Sequence, residues 1–292
     1  MIRFSVCGAA SYALGELLRL MVNHPETQVA HLADSFAAGR KIQDEHPALV
    51  GFYDQEILPL DDATLDMIVR DSDVVFTAVD AGTVPAIAAK VLAGGKKFID
   101  FGADIRFRDA KTWEKWYHLE HPDHQMTKDA VYCIPEVMRD LAKGKSLISN
   151  PGCYPTASTL GLMPILKEGM VVENTIIVDA KSGFTGAGRR PAPNKLLAEA
   201  SNSFCAYALG GSHRHTPEIE QNIAYITGKD LMKPETWQFI NFQPHLTPQI
   251  RGIEVTLYAT LNKDTSDEEL FALYNRYYKD EPFVHVFPAS KP

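Results

Sequence analysis

No stretch of this 292-residue chain is apolar over the length that a membrane span requires. Basic residues form no run, and 37 acidic side chains against 29 basic ones leave a net charge of −8. Such a surface offers polyanions little, which argues against nucleic acid as a partner. The four cysteines, at 7, 133, 153 and 205, make no CxxC pair and no metal-ligand spacing. Reduced thiols, a cytoplasmic location and no metal site are therefore expected. Internal repeats and low-complexity tracts are missing as well. Residues 1–6 read as a strand, not as the leader of a secreted protein.

What is present has the composition of a globular enzyme, with 45% hydrophobic and 23% charged residues. The length allows two domains. Apolar runs at 2–7, 27–32, 73–79 and 97–101 read as strands, and 12–21 and 83–93 have helical spacing. Strands alternating with helices predict an α/β fold, a doubly wound parallel sheet that takes a ligand at the carboxyl ends of its strands. After Thr175 the pattern changes. Residues 175–180, 237–242 and 252–261 read as strands, and 194–204, 217–226 and 267–278 as helices. This predicts a second, α+β domain with a mainly antiparallel or mixed sheet, and 284–287 reads as a further strand. The boundary is placed at 150, giving domains of 1–150 and 151–292.

The stretch from Ser149 to Thr156 (SNPGCYPT) reads as a tight turn that delivers Cys153 to the start of a helix. Pro155 suits a first helical turn, and the apolar run to Leu166 continues the helix, with a bend expected at Pro164. A thiolate at such a place is stabilised by the helix dipole, which favours a nucleophile over a structural cysteine. Downstream, His213-Arg214-His215 follows two glycines, with Thr216 as the expected N-cap and Pro217 as the first helical residue. His215 is the expected base and His213 its rival. Glu218 is expected either to complete a capping box or to orient a histidine.

These segments are similar, in order and rough spacing, to those of the N-acetyl-gamma-glutamyl-phosphate reductases, relatives of the aspartate-semialdehyde dehydrogenases. The resemblance rests on Ser149–Thr156, on Lys181–Arg189 (KSGFTGAGR), on His213–Ile219 (HRHTPEI) and on Pro244-His245-Leu246 with Arg251-Gly252. It implies an NADP-dependent reduction, with NAD possible, in which Cys153 and His215 do the chemistry. It also implies that Asn150, Arg106, Arg189, Ser182 and Glu218 bind substrate, that residues 1–150 bind the dinucleotide, and that the protein is a homo-oligomer.

The cofactor turn departs from the family. Where glycines are usual at 8, 11 and 14, only Gly8 stands, with Ser11, Leu14 and a displaced Gly15. Gly8, Ser11, Asp34 and Ser35 are the expected cofactor contacts. Asp34-Ser35 replaces the family's Ser-Arg, and an acid there would repel a 2′-phosphate. Weak dinucleotide binding with reduced NADP preference is therefore expected, and Arg40 and Lys41 could compensate. The chain stops at Pro292, where family members usually continue into a Gly/Ala-rich helix. A cysteine-dependent acyl-phosphate or thioester hydrolase on the same scaffold is the alternative function.

Overall fold

The computed structural model describes residues 1–189 and 196–290, and they form two compact units. The first takes in Met1–Cys133, Asp140–Pro151 and a short segment from Ala187; the second takes in Ile134–Arg139, Gly152–Gly186 and the described chain from residue 196. The chain thus passes from one unit to the other more than once.

The first unit holds a seven-stranded parallel sheet. Its strands are β1 (Ile2–Cys7), β2 (Thr27–Asp34), β3 (Leu58–Pro59), β4 (Val74–Thr77), β5 (Lys97–Asp100), β6 (Val131–Tyr132) and β7 (Leu147–Ser149), in the order β3-β2-β1-β4-β5-β7-β6. Successive residues face opposite sides of a strand, and the core divides accordingly. Phe4, Val6, Phe76 and Ile99 pack with Leu14 and Leu18 of the helix Tyr12–Met21. Cys7, Val75 and Phe98 pack with Leu65 and Ile68 of Asp62–Asp71 and with Ile87 and Val91 of Val84–Ala93. Strand order reverses between β1 and β4, the position at which such sheets open a ligand crevice.

The second unit holds a mixed sheet of β8 (Ile177–Ser182), β9 (Cys205–Ala206), β10 (Asn241–Leu246) and β11 (Ile253–Tyr258), in the order β11-β8-β10-β9. β8 and β10 run parallel, and β11 and β9 pair antiparallel at the edges. Val178, Ala180 and Phe242 from one face of this sheet pack with the helices Cys153–Lys167, Thr216–Ile226 and Asp267–Tyr278. The other face carries Asp179, Lys181, Gln243 and His245, all half-buried.

Several expectations shift. Residues 284–287 form no strand, and the strand expected over 237–242 begins only at Asn241, after the short 3-10 turn Pro234–Thr236. The first residues of the helix expected over 194–204 lie outside the described residues, and the described helix is Leu197–Ala200.

Candidate active site

Cys153 is the first residue of its helix and is exposed, with Gly152 as the N-cap. Thr156 closes the first turn, its N–H and Oγ1 both donating to Gly152 O at 3.0 and 2.8 Å. The opening amides of a helix have no acceptor in their own helix, and at Pro155 no N–H exists to satisfy. Among the other cysteines, Cys7 is buried and its thiol is pushed up to about 12, first by burial and then by Asp34. Cys133 is buried and Cys205 exposed. A nucleophile therefore fits Cys153, exposed at a helix start, better than the buried Cys7 or Cys133.

Glu218 takes a role that the sequence did not suggest. Its carboxylate is wholly buried, and Oε1 accepts from the Gly152 N–H at 2.7 Å. It thus fixes the residue that begins the cysteine turn. The cap of its own helix is His215, one residue earlier than expected, and His215 makes no side-chain capping bond. Thr216 falls inside the helix, and its Oγ1 donates instead to Gly211 O at 3.2 Å. A second link between the two helices comes from Asn222 Nδ2, which donates to Thr159 Oγ1 at 2.9 Å.

The two histidines separate by environment. His213 is packed edge-on against Tyr154, Tyr207 and Phe242, with ring centroids 5.5, 5.6 and 5.3 Å away. Burial, with Arg214 second, pulls its pKa down to about 4. Its Nδ1 accepts the His215 N–H at 3.0 Å, so the neutral ring carries its proton on Nε2. This is a histidine that shapes a loop. The His215 ring lies 5.8 Å from that of Tyr154, the neighbour of Cys153.

Tyr154 and Tyr207, which the sequence reading passed over, share a 3.0 Å hydroxyl contact. Both phenols are pushed up, chiefly by burial and further by the charge of Cys153, so they remain protonated donors beside the thiol. Ser182 is buried, bonds the Tyr154 hydroxyl and donates to Gly183 O at 3.0 Å. The only sequence signal for Tyr207 was its place just ahead of the two glycines.

Two other expected substrate residues belong to the first unit. Arg106 is buried; its Nε donates to Asn150 O at 3.1 Å and its Nη2 to Phe101 O at 2.8 Å. The Asn150 N–H donates to Asp100 O at 2.7 Å, and its side chain to Pro151 O at 3.2 Å. They brace the end of β7. Asp100 is buried beside them, accepting from Thr77 Oγ1 at 2.7 Å and the Gly102 N–H at 2.9 Å, and burial pushes it up to about 6. Arg189, expected at substrate, lies on the first turn of the sheet: its Nη1 donates to Ala10 O at 3.1 Å.

That turn holds the expected cofactor residues. Gly8 sits at the reversal of strand order with φ +92°, and a Cβ there would lie 2.3 Å from Ala78 O. Only glycine fits. Ser11 caps the helix, its Oγ accepting the Leu14 N–H at 3.3 Å, a role that leaves the hydroxyl proton to donate to a phosphate. Leu14 is wholly buried, and Gly15 makes room for His46, whose ring lies 2.4 Å from a Cβ built there. Asp34 does not face an open ribose site. It is buried, with Oδ2 accepting from Ala10 N–H at 3.0 Å and Oδ1 from Phe36 and Ala37 N–H at 2.7 and 3.2 Å. Ser35 is exposed beside it. The turn fits a dinucleotide by its place in the sheet, its glycine, and the first helical amides, Tyr12 and Ala13, which lack acceptors in their own helix. The Ala9, Ala10 and Ser11 amides are already bonded within the protein.

Residues 3–145 match the family model for the semialdehyde dehydrogenase NAD binding domain, and 153–292 that for the semialdehyde dehydrogenase dimerisation domain. An N-acetyl-gamma-glutamyl-phosphate reductase of Moorella thermoacetica is 40% identical over 291 residues, covering 100% of this chain and 81% of the relative. One from Pseudomonas putida is 44% identical over 290 residues, covering 99% and 80%. This chain belongs to the N-acetyl-gamma-glutamyl-phosphate reductases. The fold is shared with more distant solved structures. Aspartate semialdehyde dehydrogenase from Candida albicans, solved with NADP, matches at a TM-score of 0.63 and 14% identity over 94% of this chain and 75% of that one. The Vibrio cholerae enzyme II matches at 0.64 and 12%, over 94% and 78%.

Proposed function

We propose that this chain reduces N-acetyl-gamma-glutamyl phosphate to the semialdehyde with release of phosphate, in arginine biosynthesis. The observation that carries the reading is Cys153, exposed at a helix start that a buried carboxylate holds in place. The thiolate attacks the acyl carbon, the C–O bond to phosphate breaks, and a thioester remains on Cys153; one hard step becomes two easier ones. Gly8 and the first helical amides, Tyr12 and Ala13, would hold a reduced NADP, which would supply the hydride that no side chain can. His215 takes the thiol proton, returns one to the carbonyl oxygen as the hydride adds to the thioester carbon, and removes it again as the C–S bond breaks to release the semialdehyde and the Cys153 thiolate. Tyr154 and Tyr207 stay protonated beside Cys153 and help to hold the developing oxyanion. Arg106 and Asn150 brace the strand end before the turn, while Ser182 sets the Tyr154 hydroxyl. A cofactor domain to 150 and a catalytic domain after it are part of the proposal. The match of 153–292 to a dimerisation domain supports a homo-oligomer. No helix among the described residues is long and apolar enough to cross a membrane, and work in the cytoplasm is part of the proposal.

The test is a coupled assay. Phosphate release should require NADPH and match its oxidation one for one, and Cys153→Ser should abolish both. Phosphate release at the same rate without a nicotinamide would establish the hydrolase instead.

A further inference from the structure

The first turn of the nucleotide-binding unit is held from outside by three side chains. Asp34 takes the N–H of Ala10, Arg189 takes the carbonyl of the same residue, and His46 Nε2 bonds Ala9 O at 2.8 Å. Arg189 is further fixed by Glu45, 2.8 Å from its Nη1, and by the Tyr12 ring, whose centroid lies 5.9 Å from Cζ. Glu45 is buried to 8% side-chain exposure between two guanidinium groups, since Arg40 Nη1 also lies 2.8 Å away. The Arg40 bond, with both positive charges, holds its carboxyl below the ordinary range.

We propose that Arg189 is the specificity-determining residue for a dinucleotide carrying a 2′-phosphate. The proposal rests on the nicotinamide-dependent reading above and names the group that selects between its two possible cofactors. Folds of this kind treat the adenosine ribose in one of two ways: an acid after the second strand accepts from the diol, or an arginine nearby takes the phosphate. Here the acid is spent. Both oxygens of Asp34 accept backbone amides, and the residue is 5% exposed. The arginine is supplied from far along the chain. It donates to the carbonyl of Ala10, the residue whose N–H Asp34 accepts, so the two residues mark the same place.

Its fork is used on one side only. Among the described residues Arg189 makes its hydrogen bond to Ala10 O and its ion pair with Glu45 both through Nη1, while the side chain is 35% exposed. Nε and Nη2 form the other edge of a planar guanidinium, the edge that pairs two-to-two with phosphate oxygens. Glu45 is the positioning residue. It pairs with Nη1 and leaves Nε and Nη2 without a partner among the described residues, while Arg40 shares its charge.

The test is fluorescence titration of the whole chain with NADPH and with NADH at one ionic strength. Arg189→Ala should weaken NADPH by roughly 10- to 100-fold and NADH by less than about threefold, as expected for a charge-assisted bidentate contact. Arg189→Lys should recover only part of the loss. The NADPH-to-NADH ratio of the parent should shrink as salt rises. Equal loss of both cofactors would make Arg189 a mere support of the turn and overturn the proposal, as would no loss at all. Equal affinity of the parent for the two would overturn this proposal alone. Binding of neither by the parent would remove the nicotinamide reading, and this inference with it.

Discussion

Cys153 and Glu218 make opposing demands on one helix start. The thiolate is favoured by the positive end of the helix, but the Glu218 carboxylate bonds the Gly152 N–H there and its charge opposes a second anion. Glu218 therefore serves by shape. Glu218→Gln keeps an acceptor for Gly152 and removes the charge, so iodoacetamide alkylation of Cys153 should acquire a lower pH midpoint. The measurement belongs in a Cys205→Ser background, because Cys205 is also exposed. Glu218→Ala leaves a buried N–H unsatisfied and should cost about 1–3 kcal/mol of stability. A midpoint that rises in Glu218→Gln would remove this account. His213 gives a separate prediction. Its folded pKa of about 4 lies below the unfolded value near 6.5, so its contribution to stability is present above pH 6.5 and is lost as pH falls toward 4. His213→Asn, which keeps an acceptor but does not titrate, should lose about 3 kcal/mol less than the parent in urea melts taken at pH 7 and pH 4. Asp100 has the opposite slope, its raised value making the fold less stable as pH climbs to about 6, but it is common to both proteins and cancels in the comparison. In the same pair His215→Asn should lower kcat by roughly 10²–10⁴, and His213→Asn by less. The sequence carried Cys153 and the histidine pair because turn chemistry is local. It did not carry the roles of Glu218 or Asp34, whose partners are backbone amides up to 66 residues away and contributed by other turns.

At the scale of elements, what was legible was what local periodicity encodes. The helices Tyr12–Met21 and Asp267–Tyr278 have the bounds that their spacing gives, the latter fixed by a Ser266/Glu269 capping box. Strands of two residues, β3 and β6, were not read, because so short a run has no period. The strand expected at 284–287 alternates apolar residues, but it has no ladder partner, and Phe283 and Phe287 stand exposed. The first turn shows how an element can keep its place while changing its residues. Reading it as a damaged glycine pattern suggests restoring glycine at 14. The structure argues against that repair: Leu14 is wholly buried against β1 and Leu18. Leu14→Gly should cost about 2–5 kcal/mol from the cavity, plus about 1 kcal/mol of helix propensity, and lower the melting temperature without improving NADPH affinity. Tighter NADPH binding by Leu14→Gly would mean that the side chain, not the turn's internal bonding, limits the cofactor. Gly8→Ala should be as harmful, since Ala78 O leaves no space for its methyl.

At the scale of the whole molecule, the outer face of the second sheet remains to be accounted for. Register brings its half-buried side chains into rows. Glu254 pairs with Lys181, Thr256 with Asp179 and Tyr258 with Ile177 across β11 and β8, and His245 adjoins Lys181 on β10. Lys181 lies 2.9 Å from Asp179 and 3.3 Å from Glu254, and His245 Nδ1 lies 3.3 Å from Asp179. One corner is apolar, with Tyr258 54% and Ile177 42% exposed side by side. A face that mixes a compensated charge cluster with an exposed apolar pair suits a second protein surface better than water. Because residues 153–292 match a dimerisation domain, the occupant expected is another copy of this chain. In a symmetric pair every residue contributes twice, so one substitution is felt at two places. Sedimentation velocity should find a dimer or larger for the parent. Tyr258→Asp places two unpaired charges in the joint and should shift the population toward monomer, and Lys181→Glu should do the same by setting three carboxylates together. Far-UV circular dichroism should stay unchanged, since neither residue lies in the core. A parent that sediments as a monomer would remove this interface, and a Tyr258→Asp variant that associates as tightly as the parent would place it elsewhere.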